Sequence, residues 1–261
     1  MQRIIDLTPP IYEGMMFKHP YHPRGPFRLI NEDDDAVSWE VNLQRRRAKR
    51  HLVHGGLPEE AAEMLHGMSE QVIVPLHMGA HIDAAKHFDV RAEQDAASIP
   101  LERCMGDGIL LDLREVCGSR PSYPVSIADL EAAEKEAGSS VSQGDIVILH
   151  TGHAARYGYG PNMDRVKWAD WYPGLGEETA GWFIDRDVKL VGIDTPNVDY
   201  DLVCTSHYSF LLRGMIGKPP IQIVENLVNL ELIPRPRFTF IALPLPFVGG
   251  SGSPVRAVAL V

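Results

Sequence analysis

Several features that define whole classes of protein are scarce in this sequence. Cysteine occurs only three times in 261 residues, at Cys104, Cys117 and Cys204. An odd, sparse set is not a disulfide framework, and it fits a reducing compartment. No run approaches the roughly 20 uninterrupted apolar residues that span a bilayer. The opening Met1-Gln2-Arg3-Ile4-Ile5-Asp6 lacks the apolar stretch of a signal peptide. The expectation is a cytoplasmic protein with no membrane association. Positive charge is also in deficit: Lys and Arg number 25 against 35 Asp and Glu, a formal net charge of -10. Such a surface repels phosphate backbones, so no nucleic-acid partner is expected. A bound metal can still draw in a small anion by inverting the local field. Internal repeats and low-complexity tracts are missing. So is the G-x-S-x-G nucleophile elbow, because Gly249-Gly250-Ser251-Gly252-Ser253 ends in the wrong residue, and so is H-E-x-x-H.

What is present reads as an ordinary globular chain. Hydrophobic residues make up 44% and charged residues 23%, and a chain of this length buries a core of its own. We read residues 1–261 as one domain. Arg3 to Leu7 is a short strand stopped by Thr8-Pro9-Pro10, and residues 13–35 read as loop. Val37 to Leu43 alternates apolar and polar residues as a half-buried strand does. The basic cluster Arg45-Arg46-Arg47 with Lys49-Arg50 is a solvated face or an anion-attracting rim. Further strands are expected at Gly108 to Leu113, Asp145 to His150, Val188 to Ile193, Phe238 to Leu243 and Val255 to Val261. Ser126 caps a helix from Ile127 to about Ala137 that ends near Gly138. A second helix runs from Glu177 to Asp185, and residues 154–175 form a long loop. The glycines at 249–252 read as a hairpin turn. The fold class is α/β, β-rich with a few helices.

One stretch carries chemistry: His77-Met78-Gly79-Ala80-His81-Ile82-Asp83-Ala84-Ala85-Lys86-His87. Side chains alternate faces along a strand. If the segment is extended, His77, Gly79, His81 and Asp83 share one face, while Met78, Ala80 and Ile82 share the apolar other. Two imidazoles and a carboxylate then converge, the ligand types that suit a borderline divalent metal. Gly79, without a side chain, leaves room beside them. The competing reading is a histidine-rich strand whose imidazoles are satisfied in the core or at the surface.

The same segment resembles the H-x-G-T-H-x-D-x-P-x-H motif of the cyclase family, whose members are kynurenine formamidase-like or isatin hydrolase-like. The matching residues are His77, Gly79, His81, Asp83 and His87. Ala80 stands for the motif threonine and Ala85 for its proline. Four more segments match in the family's order. Ile5-Asp6-Leu7-Thr8 through Gly14-Met15 resembles the opening D-L-[ST]-x-P-[IL]-x-x-G-M. Leu190 to Asp199 resembles G-I-D-x-P-S-x-D, with Asn197 in place of serine. His207, Leu211-Leu212 and Glu225-Asn226-Leu227 resemble a second metal-proximal pair. Gly252-Ser253-Pro254-Val255-Arg256-Ala257 resembles G-x-P-x-R-A. The resemblance implies a compact swivelling β/α/β domain and a homodimer or homotetramer. It implies a divalent metal, Zn2+ first and Mn2+ as the alternative, in one or two sites. His77, His81 and Asp83 would bind the first ion. Asp83, His207 and Glu225 would complete the second, with His87 beside them as the acid/base group.

The other candidates are weaker. His207 and Glu225 carry no local signal and rest on the resemblance. Cys204 is discounted as a nucleophile, because nothing in the sequence lowers its pKa. Trp168, Trp171 and Tyr172 line an aromatic pocket or fill the core, and Trp182, in a helix, belongs to the core. Asp194 and Asp199 are turn formers or partners that orient the histidines. The activity expected is metal-assisted hydrolysis of a small amide or formamide, in the manner of an arylformamidase, on an aromatic or carboxylate-bearing small molecule. A lactone or cyclic-imide hydrolase in aromatic-compound degradation would use the same residues. A non-catalytic metal-binding protein would have no use for His87.

Overall fold

The computed structural model describes residues 3–12, 28–32, 52–58, 69–118, 120, 122–158, 164–200 and 204–261. They fall into two compact units, Phe27–Val74 and the remainder. In order, the strands are β1 (Ile4–Asp6), β2 (Arg28–Glu32), β3 (Ser69–Ile73), β4 (His81–Asp83), β5 (Met105–Asp112), β6 (Pro124–Val125), β7 (Ile146–His150), β8 (Gly174–Leu175), β9 (Leu190–Ile193), β10 (Gln222–Glu225), β11 (Arg237–Ile241), β12 (Gly252–Pro254) and β13 (Val258–Leu260). The helices are α1 (Arg114–Gly118), α2 (Ile127–Ala137), α3 (His153–Tyr157), α4 (Arg165–Asp170), α5 (Thr179–Asp185) and α6 (Thr205–Leu211). In the smaller unit β2 and β3 pair antiparallel, Arg28 opposite Ile73. None of the described helices is long and apolar enough to cross a membrane.

The larger unit is built on a mixed sheet in the order β1-β13-β11-β5-β7-β9-β10-β4-β12. Its centre, β5-β7-β9-β10, is parallel. Strands buried on both faces should read as continuous apolar runs, and every residue of Ile146-Val147-Ile148-Leu149-His150 is buried. Alternate side chains feed two cores. Val147 and Leu149 join a core with Leu130 of α2, Phe183 of α5 and Phe210 of α6. Ile146 and Ile148 join the other, which also holds Ile5 from one sheet edge and Ile82 from near the opposite one. Residues so far apart along a sheet share a core only if the sheet curls, and this one forms a half-barrel with helices on its convex side.

The expected strands at Arg3–Leu7, 145–150, 188–193 and 255–261 each contain an observed one, and those at 108–113 and 238–243 overlap β5 and β11, which begin earlier, at Met105 and Arg237. Helix α2 begins and ends as its residues dictate. Ser126 and Asp129 exchange hydrogen bonds in a capping box, and Gly138 follows in the left-handed conformation with φ 62°. Two expectations need correction. Residues 154–175 are not one long loop. They contain α4 and β8, and α3 runs into them; Gly152 at φ 79° starts α3, and the Asp164 side chain caps α4. Residues 13–35 are not wholly loop either, because Arg28–Glu32 gains strand structure by pairing with β3. The strand read at Val37 to Leu43 and the basic cluster at Arg45 to Arg50 lie outside the described residues.

Candidate metal centre

The half-barrel sets the site by register. In β4 the apolar Ile82 enters the inner core, so His81 and Asp83 point to the helical side. β10 runs antiparallel to β4 with Glu225 directly opposite His81. Val224 faces the inner core, which turns Glu225 to the same side as His81. From that side α6 brings His207, anchored by Phe210 and Leu211 in the outer core. All four are almost fully buried. Asn226, at φ 61°, turns the chain immediately after Glu225.

The extended segment expected from His77 to Asp83 is present only from His81. Residues 76–80 form turns and bends, and Gly79 adopts φ 63°, a conformation that ends strand geometry. His77 therefore arrives by a turn and not by alternation, and Gly79 is a turn residue more than a vacancy beside the site. The apolar side holds as expected, with Met78, Ala80 and Ile82 buried. His87 stands on a short 3-10 turn, Ala85–His87. Where the family motif carries proline, the Ala85 N–H donates to Gln94 Oε1 at 3.4 Å, a bond that proline lacks.

The groups converge closely. Asp83 Oδ1 lies 2.7 Å from His77 Nδ1 and 3.4 Å from His81 Nε2, and its Oδ2 lies 3.2 Å from His207 Nε2. Glu225 bridges in parallel, Oε2 at 3.4 Å from His81 Nε2 and Oε1 at 3.3 Å from His207 Nε2. Val198 N–H holds Oε1 at 2.8 Å. His81 donates from Nδ1 to the Gly79 carbonyl at 2.9 Å, and His207 from Nδ1 to Asp199 Oδ2 at 2.6 Å. Both rings thus direct Nε2 at the carboxylates. The His87 ring stacks on His77, centroids 4.0 Å apart, and stands 6.2 Å from His207 with an exposed edge.

The electrostatics are those of a site built for positive charge. Burial opposes a charge on His207, but Asp199, Asp83 and Glu225 outweigh it and raise its pKa well above the ordinary value. His81 is raised too, burial being outweighed by Glu225 and Asp83. Burial would raise Asp83, yet His77, His87 and His207 hold its carboxyl well below the usual range. His87 is pushed down to about 4, first by crowding against protein and then by the neighbouring histidines, with Asp83 and Glu225 opposing. Asp83 Oδ2 is buried with no well-aligned hydrogen-bond donor, His207 Nε2 standing 3.2 Å away. A buried carboxylate oxygen left over among imidazole nitrogens is what a divalent cation would satisfy. His77, Asp83 and His87 form one compact ligand set and His81, Asp83 and Glu225 another, so Asp83 is common to both.

The structure brings together all six residues singled out in the sequence. It adds others that carried no local signal. Ser251 Oγ meets His77 Nε2 at 2.9 Å. Gly252 leaves the space His77 occupies, since a Cβ there would lie 2.7 Å from His77 Cε1. Phe88 lies against His207, centroids 4.6 Å apart, and against the half-exposed Tyr208 at 4.8 Å. Of the aromatic candidates, Trp168, Tyr172 and Trp182 are buried and Trp171 is 52% exposed. Asp194 is a loop anchor, accepting from Thr151 and Gly152, whereas Asp199 is the partner of His207.

Residues 5–200 match the family described as "Putative cyclase"; His207 and Glu225 lie beyond that span. Kynurenine formamidase from Salinibacter ruber is 32% identical over 238 residues, covering 89% of this chain and 92% of the relative. That of Erythrobacter litoralis is 30% identical over 187 residues, covering 70% of this chain and 72% of the relative. Among solved structures, isatin hydrolase A from Ralstonia solanacearum superposes with a TM-score of 0.75 at 22% identity, covering 100% of this chain and 92% of that one. The enzyme of the same name from Labrenzia aggregata gives 0.73 at 21%, covering 100% and 94%. With the fold, the histidine segment and the sequence match in agreement, the chain belongs to the cyclase family.

Proposed function

We propose that the protein is a metal-dependent hydrolase that opens a small amide bond, a linear formamide being the favoured substrate. The observation that carries this reading is Asp83, whose two buried oxygens face different imidazoles. His77, His81 and Asp83 would hold one divalent ion, and Asp83, His207 and Glu225 a second. Zinc suits this imidazole and carboxylate set best, with manganese as the alternative. A metal bound there supplies Lewis acidity toward a carbonyl oxygen and acidifies a bound water.

The chain's own residues do the rest. His87, with its pKa near 4, is a neutral imidazole at neutral pH. It therefore accepts a proton from the attacking water before it returns one to the leaving nitrogen. Phe88 and Tyr208 offer an apolar wall beside it, suited to an aromatic substrate. The formamidase relatives favour a linear formamide over a cyclic imide or lactone. A cytoplasmic homodimer or homotetramer, each chain a single domain over 1–261, completes the reading.

The test is hydrolysis of a panel holding an aryl formamide, a cyclic imide and a lactone, before and after chelation and with zinc or manganese restored. Metal-dependent turnover of the formamide is expected. Turnover that survives complete chelation overturns the reading.

A further inference from the structure

Asp199 is not in the two ligand sets that share Asp83, although it clusters with Cys204 and His207; it is 2% exposed and carries a carboxylate into the protein interior. Burying such a group is costly unless donors surround it. Among the described residues its donors come from the first turn of α6: Ser206 N–H to Oδ1 at 2.8 Å, His207 N–H to Oδ2 at 3.2 Å, and the His207 ring through Nδ1 to Oδ2 at 2.6 Å. The carboxylate is itself fixed from behind. Asp199 N–H donates to Asn197 Oδ1 at 3.1 Å, and the Asn197 amide reaches on to the Tyr172 hydroxyl at 3.4 Å. The backbone around it is clamped by β8, with Leu175 N–H donating to Val198 at 2.7 Å and Tyr200 N–H to Leu175 at 3.0 Å.

We infer that Asp199 is the positioning residue of His207, holding the ring by Nδ1 so that Nε2 is turned toward Asp83 and Glu225. An ionised carboxylate only accepts, so the ring proton must sit on Nδ1. Nε2, 3.2 Å from Asp83 Oδ2 and 3.3 Å from Glu225 Oε1, is then the nitrogen that a metal would take in exchange for a proton. His81 is held at the same ring position by the Gly79 carbonyl, a neutral partner. The two buried histidines therefore differ: His207 is backed by a full charge, which fixes its orientation more firmly and makes it the more basic ligand. The inference rests on the metal-site reading proposed above.

The experiment is Co2+ binding to wild type, Asp199→Asn and His81→Ala, by competition with a chelator and by visible absorption. Asparagine keeps one acceptor oxygen for capping α6 but puts an N–H where the second oxygen stood, so a role confined to capping α6 predicts lower melting of the metal-free protein with unchanged affinity. A positioning role predicts, whatever the change in melting, affinity lower by about 10- to 100-fold and an altered spectrum. Equal affinity in wild type and Asp199→Asn overturns the inference alone. Wild-type binding no tighter than that of His81→Ala overturns the metal-site reading and the inference with it. Should Asp199→Asn fail to fold, nitrogen NMR of zinc-loaded wild type decides. His207 must carry its proton on Nδ1, and a proton on Nε2 refutes the assignment.

Discussion

The histidines of this protein perform different tasks under different burial, and substitution should separate them. His81 is buried with Nε2 aimed at two carboxylates, so His81→Ala should lose metal. His87 stacks on His77 with an exposed edge. We expect His87→Ala to keep most of its metal yet lose rate by roughly 10²- to 10⁴-fold, the usual worth of a general acid/base group. Metal analysis and turnover on the same samples check both, and full turnover by His87→Ala would remove its assigned role. His153, which belongs to none of these ligand sets, titrates against the fold. Burial pushes its pKa down to about 4, with Asp194 opposing, and its Nδ1 has no partner. A depressed histidine costs nothing above the unfolded value near 6.5. The cost grows as pH falls from there toward 4, reaching about 2 kcal/mol by pH 5. Urea unfolding of His153→Gln should show a flatter acid limb than wild type; parallel limbs would refute this. The sequence revealed the 77–87 group because its ligand types crowd into one short segment. Glu225 and His207 reach the site through cross-strand register and a docked helix, which no local spacing encodes, so only the family resemblance located them.

Elements differ in how far they can be read from their own residues. Helix α2 is written locally, by a capping box at one end and a left-handed glycine at the other. The 153–175 region is not. The His153 ring packs on Trp168, centroids 4.8 Å apart, and its Nε2 meets the Trp168 carbonyl at 3.1 Å. Helices of so few residues are marginal alone and depend on such contacts. Strand β12 is the least legible element, since its glycine and serine residues suggest a turn, yet Gly252 pairs with Asp83 at the centre of the site. A Cβ on Gly252 would also lie 2.7 Å from the Ile82 carbonyl oxygen. Gly252→Ala should therefore displace His77 or β4, lowering stability by about 1–3 kcal/mol, the usual range for overpacking, and weakening metal binding as well. Urea midpoints with metal titration test this; wild-type values for both would show that the strand yields freely.

At the scale of the whole molecule the α/β class and most of the expected strands were legible, because the central strands are continuous apolar runs. The strand order was not. It depends on which runs meet in space, and β10 meets β4 across most of the chain length. That pairing has a kinetic consequence. Contacts distant in sequence close late, since loop entropy must first be overcome. The residues gathered around Asp83 come from β4 and the turn before it, from β10 and α6, and, behind His77, from the turn before β12, so they can assemble only after the half-barrel has curled and its edge has joined. During refolding, uptake of Co2+, followed by its absorption, should coincide with the slowest phase and not with early burial of tryptophan. The ion would then act as a clock for the last step of folding, and a nascent or misfolded chain would be excluded from the cell's metal supply until its sheet had closed.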